Sequence, residues 1–271
     1  MRGTEQFLGM PQDFWAQVRF FSQELGYSSR DNDGLSVFTD DSLVECARQN
    51  DVGLSHGRIV QLREYLNYRA QLLNSTAPGY LMSEGEASQV FDKLQRRLNP
   101  SCNLPMNKQK GEKSHPNYLT GIVNMLTEEA LRGCRFDSDP HSLTLVTKGK
   151  TILRTLSRRF DGAYPSTRNP VAVWEIKEYY GTTTFGSRVA DAIYETQLDG
   201  WELKDLREKE GRKIQHYLIV DDKFTWWNKG KSYLCRLVDM VHMGLLDEVL
   251  FGREVLARWP QIVGSWPTEQ L

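Results

Sequence analysis

Arg158-Arg159-Phe160-Asp161, followed ten residues later by Val171-Ala172-Val173-Trp174-Glu175-Ile176-Lys177, is the stretch on which the reading of this chain turns. Residues 171–180 are apolar, β-branched and aromatic enough to read as a buried strand. Side chains alternate in direction along a strand, so Val173, Glu175, Lys177 and Tyr179 share one face while Ala172, Trp174 and Ile176 share the other. Glu175 and Lys177 therefore point the same way, roughly 6.6 Å apart along the strand. One divalent ion and its water can be shared across such a span. A carboxylate and an ammonium in so apolar a run are costly unless paired with each other or with a metal. The strand thus carries either a structural ion pair or a working site.

Outward from this stretch, residues 143–147 read as a strand, Lys148-Gly149-Lys150 as a turn, and residues 151–164 as further extended pieces ending in a loop at 165–170. On the other side, residues 182–187 open a helix with Ser187 as N-cap and Val189, Ala190, Ile193 and Leu198 facing inward. Asp199-Gly200 is expected to stop it. Residues 214–220 form another buried strand, ended by Asp221-Asp222, and residues 232–241 and 245–259 carry the apolar spacing of helices. Upstream, Leu119, Ile122, Val123, Leu126 and Ala130 mark a helix over 118–131 that bears Glu128 and Glu129 near its C-terminal end. Acids there oppose the negative end of the helix dipole and favour a nearby cation by about 0.3–1 kcal/mol.

The first hundred residues are mostly helical. Apolar spacing and capping residues predict helices over 11–25, 55–73 and 83–98, a further helix capped by any of Thr39, Asp40, Asp41 or Ser42 and running to about Gln49, and a short strand at 35–38. That order is compatible with a winged-helix-like DNA reader. Residues 99–117 hold three prolines, few apolar residues and Lys108, Lys110 and Lys113, and read as a linker whose lysines either touch a phosphate backbone or are simply solvated. The expected division is therefore a helical N-terminal region at 1–98, a linker at 99–117 and an α/β unit at 118–271.

At 271 residues with 39% hydrophobic and 11% aromatic content, the chain can bury one large core or two modest ones. No apolar run approaches the eighteen or so residues that span a bilayer. The N-terminus lacks the apolar core of a signal peptide, and a cytoplasmic location is expected. Cys46, Cys102, Cys134 and Cys235 are scattered, without a C-x-x-C pair, and the five histidines lack metal-ligand spacing. A net charge of −1 neither implies nor excludes nucleic acid, so local charge has to speak. Lys148, Lys150, Arg154, Arg158, Arg159 and Arg168 flank the central stretch, as a phosphate-tracking cleft would require. The sequence carries no Gly-rich phosphate loop, no G-x-S-x-G and no H-E-x-x-H, so kinase, α/β-hydrolase and zinc-protease readings have no starting point.

The order of helix, strands, strand with Asp161, strand with Glu175 and Lys177, helix and strand over residues 118–220 resembles the core of the PD-(D/E)XK nuclease superfamily. The size and the helical N-terminal half look like a type II restriction endonuclease. Phe160 stands where that family's motif has proline. The resemblance implies an α/β (α+β) fold, with a mixed central sheet flanked by helices and a mostly helical N-terminal region. It further implies that Asp161, Glu175 and the carbonyl of Ile176 hold Mg2+, that Lys177 positions or activates water, and that Glu128 or Glu129 is an additional acid. Lys148, Lys150, Arg158, Arg159 and Arg168 would contact double-stranded DNA, and cutting both strands implies a homodimer. A lysine whose pKa is lowered by burial could accept a proton.

An E-x-K triplet is expected about once by chance in a chain of this length. Glu202-Leu203-Lys204 and Asp221-Asp222-Lys223 are decoys of the same kind. The first lies in a charged segment, where a surface ion pair is the plain reading; the second ends a buried strand and is a real rival. Glu175 is preferred because it lies inside an apolar strand, follows Asp161 by a loop-sized interval and precedes a capped helix.

Overall fold

The computed structural model describes residues 1–28, 33–109, 112–181 and 186–267, without the side chains of 107–109 and 112–114. Lys110 and the side chains of Lys108 and Lys113 thus lie outside the described residues, as does 182–185, where the sixth helix was expected to begin. The N-terminal helices are α1 (Gln12–Leu25), α2 (Asp40–Gln49), α3 (His56–Tyr80) and α4 (Glu84–Leu98). Each of the last three is started by a side chain: Thr39, Ser55 and Ser83 accept from the backbone of Ser42, Arg58 and Glu86, and Glu86 reaches back to Ser83 at 2.9 Å. These contacts satisfy helix-end donors that have no intrahelical partner.

Residues 35–38 are extended but form no strand, contrary to expectation. The amides of two asparagines on α3 take the place of a neighbouring strand. Asn74 accepts from Leu35 N at 2.8 Å and donates to its carbonyl, and Asn67 does the same for Phe38, with the N–H bond at 2.7 Å. The short strand of the winged-helix order considered above is therefore not formed among the described residues. The segment expected to be a linker instead holds a hairpin, β1 (Met106–Gln109) with β2 (Glu112–Pro116), followed by α5 (Tyr118–Leu131).

A second hairpin, β3 (Leu145–Lys148) with β4 (Thr151–Thr155), precedes the central sheet. That sheet consists of β5 (Gly162–Tyr164), β6 (Ala172–Glu178), β7 (Gln215–Asp221) and β8 (Glu248–Phe251), in that spatial order. β5 is antiparallel to β6, and β6, β7 and β8 run parallel. Parallel neighbours need crossovers, which α6 (Ser187–Glu210) and α7 (Lys231–His242) supply. The fold is thus mixed α+β, a mixed sheet flanked by helices with a helical N-terminal region.

Two departures from the sequence reading have physical causes. Asp199-Gly200 does not end α6, because Gly200 lies where a Cβ would come within 2.7 Å of the Leu245 backbone; its missing side chain lets the helix press on the turn before β8. Residues 245–259 are not one helix. Glu248–Phe251 pairs with β7 as a fully buried strand, and α8 (Val255–Ser265) starts only after it.

The strand alternation read from the sequence divides the core. Ala172, Trp174 and Ile176 pack with Phe91, Ile122 and Trp259 from α4, α5 and α8. Val173 faces Leu203 and Leu206 of α6. Phe14, Phe21, Tyr65 and Leu66 of the N-terminal helices share one core with Leu218, Val220, Leu234 and Val238. A buried ion pair crosses the same boundary: Arg69 meets Asp239 at 2.9 Å, with Tyr65 and Ser22 completing the hydrogen bonds. Among the described residues no helix is long and apolar enough to cross a membrane.

Candidate functional site

Asp161 precedes β5, and Gly162 pairs with Trp174 across the antiparallel ladder. Asp161 N–H donates to the Trp174 carbonyl at 3.1 Å, and its Oδ2 accepts the Ile176 N–H at 2.7 Å. Residues opposite one another in such a ladder share a face, so the carboxylate of Asp161 stands beside Glu175. The arrangement needs glycine at 162, where a Cβ would meet the Trp174 indole at 2.0 Å. Phe160 is buried edge-on against His216 and anchors the loop before β5.

Asp161, Glu175 and Lys177 line one cleft of about 760 Å³, together with Glu195 of α6. Lys177 Nζ lies 2.7 Å from Glu175 Oε1 and 3.0 Å from Glu195 Oε2. Arg158 reaches the same acids, at 3.2 and 2.9 Å, and holds Asp199 at 2.7 Å. Glu175 Oε2 and Asp199 Oδ1 are buried with no hydrogen-bond partner. The lining also includes Asn117 and Thr120 at the start of α5, and Arg159 and His141 from loops. The start of α5 is tied to β6 by Glu178, whose carboxylate accepts from Leu119 N, Thr120 N and the Thr120 hydroxyl.

Burial, reinforced by the negative charge of Glu175, pushes the Asp161 carboxyl up to about 7. Burial likewise pushes Asp199 up to about 7, with Arg158 opposing and Glu175 adding to the shift. Lys177 corrects an expectation: burial lowers its pKa, but the Glu175 and Asp161 charges and its two hydrogen bonds outweigh burial and raise it. The two acids thus favour the ammonium form of the amine.

The structure brings Asp161, Glu175 and Lys177 together but redistributes the other expected residues. Glu128 and Glu129 do not reach the cleft. They lie at the far end of α5, where Glu128 accepts from Ser101 N at 3.0 Å and Glu129 pairs with Arg97 at 3.2 Å. The side chain of Ile176 joins the opposite core, so only its backbone belongs to the site, and its N–H is taken by Asp161. Among the expected DNA-contacting cations, Arg158 is committed to acids and Arg159 lines the cleft. Lys148, Lys150 and Arg168 are exposed on the β3–β4 hairpin and a loop beyond the cleft lining.

Both decoys are structural. Glu202 accepts from Ser157 N at 3.0 Å and steadies the loop before Arg158. Asp221 is consumed by Met82 N, Asp222 N and the Tyr180 hydroxyl. His216 and His242, both buried, bond backbone carbonyls of Leu245 and Val238. Glu195 and Asp199 were missed. Their one signal was acids at helical spacing, Glu195, Asp199 and Glu202, on a helix that had been read as ending at Asp199.

With all groups ionised, the network of Asp161, Glu175, Glu195 and Asp199 against Arg158 and Lys177 sums to four minus two, a net charge of −2. A buried unpartnered Glu175 oxygen beside an Asp161 carboxyl held up by burial and by the Glu175 charge fits a hard dication such as magnesium. Among the described residues no three His, Cys, Asp or Glu side chains gather as a metal cage. The fitting set is two carboxylates and a main-chain carbonyl, consistent with an ion that keeps several waters.

Residues 82–266 match the family described as Domain of unknown function (DUF7687), and residues 1–76 match that described as Domain of unknown function (DUF7690). No curated protein and no solved structure matches the chain.

Proposed function

We propose that this chain, which belongs to the DUF7687 family, is a magnesium-dependent type II restriction endonuclease that hydrolyses phosphodiester bonds of double-stranded DNA at a specific sequence. The observation that carries the reading is the convergence of the Asp161 and Glu175 carboxylates and the Lys177 ammonium on one cleft, with Glu175 Oε2 buried and unpartnered. Asp161, Glu175 and the Ile176 carbonyl would hold the ion, which when bound screens the phosphodiester's negative charge and makes water a better nucleophile.

The residues divide the remaining work. Lys177, tethered by Glu175 and Glu195, presents a charged donor where negative charge gathers on the attacked phosphate. Its raised pKa keeps that charge in place through neutral pH. Asn117 offers a neutral polar contact to the substrate backbone, and Arg159 supplies a cation on the same cleft. Cutting both strands calls for a homodimer with one site per strand, acting in the cytoplasm.

Two other readings stay in contention. One is a repair or modification-dependent nuclease with the same core. The other is a non-catalytic DNA-binding protein, favoured by the Glu175–Lys177 pair already closed at 2.7 Å. Incubation with plasmid and unmodified genomic DNA, with and without magnesium, separates them. Discrete fragments support restriction, cleavage confined to modified or damaged DNA supports repair, and binding without cleavage sinks the nuclease reading.

A further inference from the structure

We propose that Arg158 sets the affinity of this site for its dication, acting as a resident counter-cation on Glu175; the proposal rests on the metal-dependent reading above. Arg158 stands in the loop between β4 and β5 and is anchored at one end, Nη1 to Asp199 Oδ2 at 2.7 Å. Its other end, Nη2, lies on Glu175 Oε1 at 3.2 Å and Glu195 Oε2 at 2.9 Å. Lys177 binds the same two oxygens at 2.7 and 3.0 Å. Two internal cations therefore share one oxygen of Glu175, while the other oxygen, Oε2, is buried without a partner.

This asymmetry is not what a purely structural ion pair requires. Lys177 alone already partners Glu175, and Asp199 alone already anchors a guanidinium. A second positive charge beside the acid of the ligand pair repels any ion approaching Oε2. Magnesium dehydrates reluctantly and is commonly held by one or two carboxylates together with phosphates of the substrate. With one of its two ligand carboxylates, Glu175, already held by two internal cations, the cleft binds a dication weakly by itself. An anionic phosphodiester offsets the charge of Arg158 and Lys177, so metal and DNA bind cooperatively.

The test is calorimetric titration of the whole chain with Mg2+ or Mn2+ in the absence of DNA, for the wild type, Arg158→Gln and the double variant Arg158→Gln/Asp199→Asn. The double variant removes the buried acid that the single one would strand. It also leaves three carboxylates and one cation, net −2, the same as the wild-type cluster. Both variants should lower the Kd for the ion at least roughly tenfold, and the double variant attributes the change to the charge beside Glu175 and not to net charge. A structural role alone would leave the affinity unchanged or weaken it, and either result in the folded double variant overturns the proposal. Glu175→Gln separates the two levels. If neither the wild type nor the double variant binds a dication, or if binding is equally good with Gln at 175, the metal-dependent reading itself fails. If binding depends on Glu175 yet removal of Arg158 does not tighten it, the role of Arg158 alone fails.

Discussion

Asp161 Oδ2 accepts the Ile176 N–H at 2.7 Å, and by that bond a loop carboxylate is fixed against the strand that carries Glu175. A ladder contact made by a side chain thus positions the first acid of the site. It also leaves Asp161 in a desolvated place beside another negative charge, the cause of its raised pKa.

Asp161→Asn keeps an oxygen that can accept the same bond, so at about pH 4, where the folded carboxyl is protonated, stability should change by no more than about 1 kcal/mol. Magnesium affinity should fall, because a charged ligand has become neutral. Equilibrium unfolding and a magnesium titration of activity check the two halves, and a titration midpoint equal to that of the wild type removes Asp161 from the ligand set.

Lys177→Ala should lower the cleavage rate by at least about 100-fold, the scale of losing a preorganised charge in a transition state. DNA binding should persist, since Asn117 and Arg159, proposed to contact the substrate, are untouched. Gel-shift and single-turnover cleavage measured side by side decide the matter, and undiminished cleavage rules out the role.

Asp161, Asp199 and Asp221 all have carboxyls raised to about 7 from an ordinary 3.8, chiefly by burial. A carboxyl raised on folding binds its proton more tightly in the folded state. Its contribution to stability is full below about pH 4 and is lost as pH climbs toward about 7. Asp199→Asn should therefore flatten the decline in stability between these limits, by up to about 1.4 kcal/mol per pH unit. Denaturant unfolding at several pH values reads the slope; parallel curves for variant and wild type contradict the assignment.

Gly162→Ala places a methyl group where the Trp174 indole stands, 2.0 Å from the new Cβ. Overpacking of this kind typically costs about 1–3 kcal/mol, and relief requires β5 to move away from β6, taking Asp161 with it. Cleavage should fall even where the variant remains folded by circular dichroism. Full activity in a folded Gly162→Ala protein means that Asp161 does not need its ladder position.

What the sequence disclosed was mainly what period and local chemistry encode. The two-residue alternation of the central strand assigned Trp174 and Glu175 to opposite faces, and the apolar spacing over 83–98 marked α4. Partners from distant elements were hidden. Nothing local distinguishes Glu195, which meets Lys177, from Glu129, which meets Arg97 on the surface. Gly200 resembled a helix stop because its actual reason, the pressure of Leu245, lies forty-five residues away. Glu248–Phe251 carried helical spacing, yet the open edge of β7 made it a strand. The charge of Lys177 was misjudged for the same reason, since desolvation can be guessed from an apolar run while a second acid supplied by another helix cannot.

The asparagine pair on α3 has a metrical consequence. Leu35 and Phe38 are three steps apart on an extended chain, about 10 Å, and Asn74 and Asn67 are seven apart on a helix, about 10.5 Å. The two rulers agree only because two full helical turns nearly equal three extended steps, so inserting one residue between Asn67 and Asn74 would swing one amide about 100° around the axis and strand half of the segment's backbone groups.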